Sequence, residues 1–205
     1  MGNPLFDLTY GLFVLSVNVY KRDNACIINT AVQVSSDPQR ISISVIKANH
    51  TADMLNYTDD FTISTISQKA TFDLFKRFGF QSGRDVEKFE GFDGCVRTKN
   101  GAYAITEGTN SYISAHIEQR IDLGSHVLII AKITDMQSLN DDPSATYAYY
   151  HSNIKPKPKT DASKAGKTVW RCKVCGYEYE GETLPDGFIC PTCNHGAEDF
   201  EKVTL

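Results

Sequence analysis

The sequence predicts a mainly β protein: a closed antiparallel barrel with short peripheral helices, then a small domain organised around cysteines. Three observations carry this. Polar and apolar residues alternate with period two through residues 40–47 and 61–67, the pattern of strands with one buried face. Strand-like runs outnumber helical ones and do not alternate with long helices, which argues against a doubly wound parallel sheet. Near the end of the chain, the pairs Cys172/Cys175 and Cys190/Cys193 are two Cys-x-x-Cys motifs separated by 14 residues.

The elements follow in order. Residues 14–20 form a short apolar run, and residues 26–34 a second one rich in β-branched side chains; both read as strands. The alternating segment 40–47 is followed by 51–57, which reads as a short helix with Thr51 as its cap. After the alternating segment 61–67, the residues Phe72, Leu74, Phe75 and Phe78 fall near helical spacing. They predict a helix over 71–80, capped by Thr71 and ended by Gly79. Residues 111–121 and 125–136 read as a hairpin about Asp122-Leu123-Gly124. Residues 93–110 carry no readable site.

Residues 155–167 contain almost no apolar side chain and read as a linker, extended in its Pro-Lys half and flexible in its Ala-Gly half. Fully extended, it reaches roughly 40 Å. The expected division is a domain over 1–153, a Lys/Pro-rich linker over 154–168 and a small domain over 169–205. Charge partitions the same way, at −4, +4 and −4 respectively. An acidic small domain suits a basic protein partner.

Composition excludes several classes. Of 205 residues, 41% are hydrophobic and 22% charged, a globular balance large enough for one ordinary domain and a small one. The net charge of −4 argues against a general nucleic-acid binder. The start, Met1 to Phe6, lacks the basic region and apolar run of a signal peptide, and Gly2 lacks the downstream hydroxyl residue that myristoylation needs. No apolar stretch is long enough for a membrane span. Six cysteines, four of them in the paired motifs, fit a reducing cytoplasm, with Cys26 and Cys95 read as buried, inert thiols. There is no Gly-x-Gly-x-x-Gly after a strand, no phosphate loop and no Gly-x-Ser-x-Gly elbow. Any nucleotide cofactor must bind without a Rossmann crossover.

Four thiolates at the observed spacing can close a tetrahedron around one metal ion. Each pair sits on a tight turn, with Gly176 and Asn194 suited to a left-handed backbone. Two disulfides are the alternative, and nothing else in the chain looks secreted. Spacing alone admits iron or structural zinc. The aromatic residues add a resemblance. Trp170-x-Cys172-x-x-Cys175-Gly176-Tyr177-x-Tyr179, Leu184-Pro185-x-x-Phe188-x-Cys190-Pro191-x-Cys193 and Ala197-x-x-Phe200 together resemble rubredoxin, in the compact version fused to rubrerythrins. Phe188 stands where Trp is usual and Asn194 where Gly is usual. The resemblance implies one iron held by Cys172, Cys175, Cys190 and Cys193. Trp170, Tyr177, Tyr179 and Phe188 would keep water from it.

In the large domain, polar residues cluster at the ends of strands and helices: 29–35, 47–51 and 77–85. Hydroxyls, backbone N–H groups and an arginine are what a phosphate needs. Each cluster by itself also reads as a cap or a turn. The ordered set Leu8-Thr9-Tyr10-Gly11, Asn29 to Ser35 with Pro38, Ser44-x-x-Lys47-x-Asn49-x-Thr51, Arg77-Phe78-Gly79-x-x-Ser82-Gly83-Arg84-Asp85-Val86-x-Lys88-Phe89, Gly124-x-His126 and Thr146 to His151 is similar to the flavin reductase-like, FMN-binding split-barrel family. That family includes flavoredoxin and archaeal ferric reductase. With its rubredoxin-like end, the chain resembles the high-molecular-weight rubredoxins.

The resemblance implies a six-stranded Greek-key split barrel, one FMN per subunit and a homodimer with flavin near the interface. Asn29, Thr30 and Ser35 would lie along the flavin ring and ribityl chain. Asn49, Thr51, Ser82 and Arg84 would hold the phosphate, with Lys47 and Lys88 as further contacts and His126 and Tyr149 bordering the ring; a structural role for His126 stays open. It also implies hydride uptake from NADH or NADPH, release of single electrons to the iron, and a flavodiiron protein as acceptor, reducing dioxygen or nitric oxide. A free-flavin or ferric reductase, or a binding module with a structural zinc ribbon, are the alternative functions.

Overall fold

The computed structural model describes residues 7–156, 168–173, 177–190 and 196–204. The chain divides into two compact units, Met1–Ile154 and Lys155–Leu205.

The first unit is built on a seven-stranded sheet in the order β2-β1-β5-β8-β9-β4-β3. Its strands are β1 (Phe13–Val19), β2 (Arg22–Ile28), β3 (Ala31–Ser36), β4 (Gln39–Ile46), β5 (Asp60–Ile66), β8 (Thr109–Asp122) and β9 (His126–Ser138). Every pairing in it is antiparallel. β2 and β3 are the two edges, yet only Asn29 and Thr30 separate them in sequence. Two residues bridge at most ~11 Å between Cα atoms. A flat sheet of this size would hold its edges ~29 Å apart. The sheet therefore curls until its edges approach each other where Asn29-Thr30 crosses the seam between them, without pairing there.

This connection explains a difference from expectation. The apolar run 26–34 reads as one strand; it is two, on opposite edges, so the barrel sheet has seven strands rather than six. A further short hairpin, β6 (Cys95–Arg97) and β7 (Tyr103–Ile105), lies in the stretch that carries no sequence signal. Arg97 anchors it, stacking 3.6 Å over Tyr103 and donating to Asp23 at 2.6 and 3.0 Å.

Two helices matter for the site. α1 (His50–Met54) is capped by Asn49, whose Oδ1 accepts from the N–H of Thr51 at 3.1 Å. The expected cap, Thr51, lies inside the helix, because Asn49 already satisfies the exposed N–H. α2 (Phe72–Gly79) covers the predicted segment and ends at Gly79; Thr71 stands at its cap position without a side-chain bond. α2 buries Leu74, Phe75 and Phe78. Inside the barrel, Leu15, Val17, Ile43, Val45, Phe61, Ile63, Ile129 and Ala131 are fully shielded, the inward residues of alternating strands. The β8–β9 turn places Gly124 at φ +82°, and its N–H donates to Asp122 Oδ1 at 2.7 Å.

The second unit carries a three-stranded sheet, β11 (Glu178–Tyr179), β10 (Thr168–Cys172) and β12 (Phe200–Thr204), in that order. Cys175, Cys193, Gly176, Asn194 and linker residues 157–167 lie outside the described residues. Among the described residues, no helix is long and apolar enough to cross a membrane.

Candidate functional site

Antiparallel register puts the start of β3 beside the end of β4. Ala31 pairs with Ile43, and the N–H of Ser44 donates to Thr30 O at 3.3 Å. Ile46, the last residue of β4, pairs with His126. The seam residues Asn29 and Thr30 are thus gathered with Lys47, Asn49 and His126 at one end of the sheet. Ser35 pairs with Arg40 at the far end of β3, roughly 16 Å along the strand from Thr30. Between them β3 is largely exposed.

Asn49, Thr51, Ser82 and Arg84 form one cluster. Arg84 Nη1 donates to Ala48 O at 3.3 Å, and its guanidinium also pairs with Asp53. Ser82 Oγ accepts from the backbone N–H of Arg84 at 3.1 Å, shaping the turn. Thr51 is fully buried, and its Oγ1 accepts from Asn24 Nδ2 at 2.9 Å. A guanidinium, a hydroxyl and an amide brought together from two segments of chain are phosphate-binding chemistry.

The remaining predicted residues are placed differently. Lys47 turns to the β8–β9 turn and pairs with Asp122, whose carboxyl it holds below the usual aspartate range. His126 Nδ1 bonds Ser125 Oγ at 2.9 Å. Lys88 is 4% exposed and donates to Ala25 O at 2.9 Å and Phe78 O at 3.1 Å, so its ammonium faces the interior. Burial pushes its pKa down. Tyr149 lies on α3 (Tyr147–Tyr149) and packs against the second core, with Phe75 and Ile154. Cys26 is buried and its thiol is pushed up by burial, the inert form expected. Cys95 is only half-buried; its thiol is raised by desolvation and reaches Phe92 O at 3.5 Å.

Two residues that touch this cluster carried no sequence signal. Asn24 follows Arg22 and Asp23 at the polar start of β2, where one more polar residue announces nothing. Asp53 reads as an ordinary first-turn acid of a helix.

In the second unit, Cys172 and Cys190 are 1% and 0% exposed. The N–H of Cys172 donates to Tyr177 O at 2.8 Å. Tyr179 and Phe188 pack at 4.8 Å, and Phe188 meets Phe200 edge-on at 5.3 Å. Trp170 pairs with Tyr179 across the sheet. Two buried thiols beside an aromatic cluster fit a dry, sulfur-ligated metal centre.

A curled antiparallel barrel, followed by a small unit with two buried cysteines beside an aromatic cluster, is the architecture of a flavin reductase-like barrel joined to a rubredoxin-like domain. The family model for the flavin reductase like domain matches residues 5–157, and that for the rubrerythrin, rubredoxin-like domain matches residues 170–201. The chain belongs to the flavin reductase-like family and, over nearly its whole length, to the high-molecular-weight rubredoxins. It is 30% identical to the high molecular weight rubredoxin of Moorella thermoacetica, covering 97% of this chain and 98% of that protein. It is 29% identical to the ferric-chelate reductase (NAD(P)H) of Archaeoglobus fulgidus over 76% of this chain and 92% of that one. Among solved structures, an FMN-binding protein from Thermus thermophilus matches 90% of this chain and 89% of its own, at 21% identity and a TM-score of 0.59. The NADH:FAD oxidoreductase of Streptomyces globisporus matches 71% of this chain and 90% of its own, at 18% identity and a TM-score of 0.64.

Proposed function

We propose that the protein is an NAD(P)H:rubredoxin oxidoreductase whose electron acceptor is its own second domain. The observation that carries this is the joining of the two domains in one chain, shared with the Moorella relative over 97% of the sequence. NAD(P)H yields electrons as a pair, whereas a four-thiolate iron takes one at a time. The flavin supplies the conversion between the two.

The chain's own residues bind and shield. Asn29, Thr30 and Ser35 line the seam where the ring and ribityl chain of FMN lie; Ser82, Arg84 and Asn49 hold its phosphate, and Thr51, expected as a contact, is enclosed and supports them from behind. Lys47 and His126 border this site. Cys172, Cys175, Cys190 and Cys193 hold the iron, and Trp170, Tyr177, Tyr179 and Phe188 exclude water from it. The stretch 154–168 tethers the domains 1–153 and 169–205, letting the carrier alternate between the flavin and an external acceptor. A flavodiiron protein in the cytoplasm suits the acidic carrier if its docking face is basic. The barrel works as a homodimer, a reading supported by edge strand β3, where Val32 and Val34 are 57% and 50% exposed.

Anaerobic titration with NADH and NADPH tests this. Visible spectra should show flavin and ferric–thiolate bands bleaching together. Stoichiometric zinc, or reduced flavin beside iron that stays ferric, would overturn it. Deleting residues 155–205 should leave reduction of free flavin intact and abolish transfer to a protein acceptor.

A further inference from the structure

The phosphate cluster is assembled from two distant pieces of chain, the start of α1 and the Ser82–Arg84 turn, and one buried side chain touches both. Asn24, on β2, is 3% exposed. Its Nδ2 donates to Thr51 Oγ1 at 2.9 Å. On its other side lies Gly83: a Cβ at that position would sit 2.6 Å from Asn24 Cγ and closer still to its Oδ1. Gly83 has no left-handed backbone to account for a glycine; φ is positive at Gly91, Gly101, Gly108, Gly124 and Gly187 only, among the described glycines. Close approach to Asn24 is the remaining physical reason.

We propose that Asn24 is a positioning residue for the flavin phosphate, setting the spacing between Thr51 and the Ser82–Arg84 turn, with Gly83 permitting the contact. This deepens the phosphate reading above and rests on it. The amide of Asn24 is planar, buried and tied to Thr51, so the turn rests against a rigid stop. Charge-assisted hydrogen bonds to phosphate need their donors converging at ~2.7–2.9 Å. Displacing the turn by the width of a methyl group takes Ser82 and Arg84 out of that range.

FMN and riboflavin differ only in the phosphate, so the ratio of their dissociation constants isolates this end of the site. In the full-length protein, N24A and G83A should each weaken FMN about tenfold, ~1.4 kcal/mol, while riboflavin changes less than about twofold. The double variant N24A/G83A should bind FMN no worse than N24A, because the added methyl then fills vacated space. Equal losses for FMN and riboflavin, or strictly additive single effects, would overturn the proposal. G83A alters a surface turn and carries the test if N24A does not fold. R84Q separates the two levels. If it leaves the FMN-to-riboflavin ratio unchanged, the phosphate reading itself fails. If R84Q raises the ratio and N24A and G83A do not, Asn24 alone loses its role.

Discussion

Arg77 and Lys88 tie the two ends of one loop together from opposite sides. Arg77 Nη1 donates to the carbonyl of Lys88 at 3.1 Å, and Lys88 Nζ donates to the carbonyl of Phe78, beside Arg77, at 3.1 Å. The clasp closes the base of residues 79–87, the loop that presents Ser82 and Arg84. Lys88 thus supports that loop from beneath, with its Nζ bonded to α2 and β2.

Burial lowers the pKa of Lys88 in the folded protein below its unfolded value. The unfolded chain therefore binds more protons between the two values, and stability rises with pH across that window. The neutral amine keeps two N–H groups for its two carbonyls. Urea unfolding at successive alkaline pH values should show the stability difference between wild type and K88M growing in favour of wild type as pH rises. A difference that stays flat, or shrinks, contradicts the buried ammonium.

Asp53 is paired with Arg84, both side chains about half exposed, so on the phosphate proposal it should compete with FMN for that guanidinium. Removing the carboxylate charge in D53N should tighten FMN a few-fold. R84Q should weaken it about ten- to a hundredfold, the range of a lost charge-assisted bond of ~1.5–3 kcal/mol. Fluorescence-quenching titrations measure both. Weaker FMN binding in D53N would mean that Asp53 orients Arg84 rather than competing for it.

The second unit is too small to fold on apolar burial alone, so its metal and its fold are coupled. C190S should lose bound iron and the ferric–thiolate bands, while NADH-driven reduction of the barrel's flavin continues at the wild-type rate. Metal analysis and stopped-flow spectroscopy check the two halves of this separately. Full retention of iron in C190S would remove Cys190 from the ligand set.

Val32 and Val34 stand exposed on β3, an outer strand of the curled sheet. The double variant V32K/V34K should convert a dimer to monomers in sedimentation velocity, since like charges would then face each other across the contact. An unchanged sedimentation coefficient would place the dimer interface elsewhere.

Much of this was legible in the chain. Period-two alternation located β4 and β5, the hydrophobic spacing of Phe72, Phe75 and Phe78 located α2, and Asp122-Leu123-Gly124 located the turn between β8 and β9. These are local properties, set by which face of an element is buried. The apolar run 26–34 misled for the same reason: nothing in its neighbours says that Asn29-Thr30 changes edges. Residues 93–110 looked empty because the β6–β7 hairpin is held by Arg97 on Asp23, a partner 74 positions away.

The order of residues by itself determined the strand-rich class, the cysteine spacing that draws in a metal, and the kinship with flavin reductases and rubredoxins. Only the tertiary structure decided that Thr51 turns inward to Asn24, that Lys88 is enclosed, and that Gly83 rests against Asn24 on the edge strand β2. Those relationships arise when the sheet curls shut. Closure is a property of all seven strands together, and no short stretch of sequence carries it.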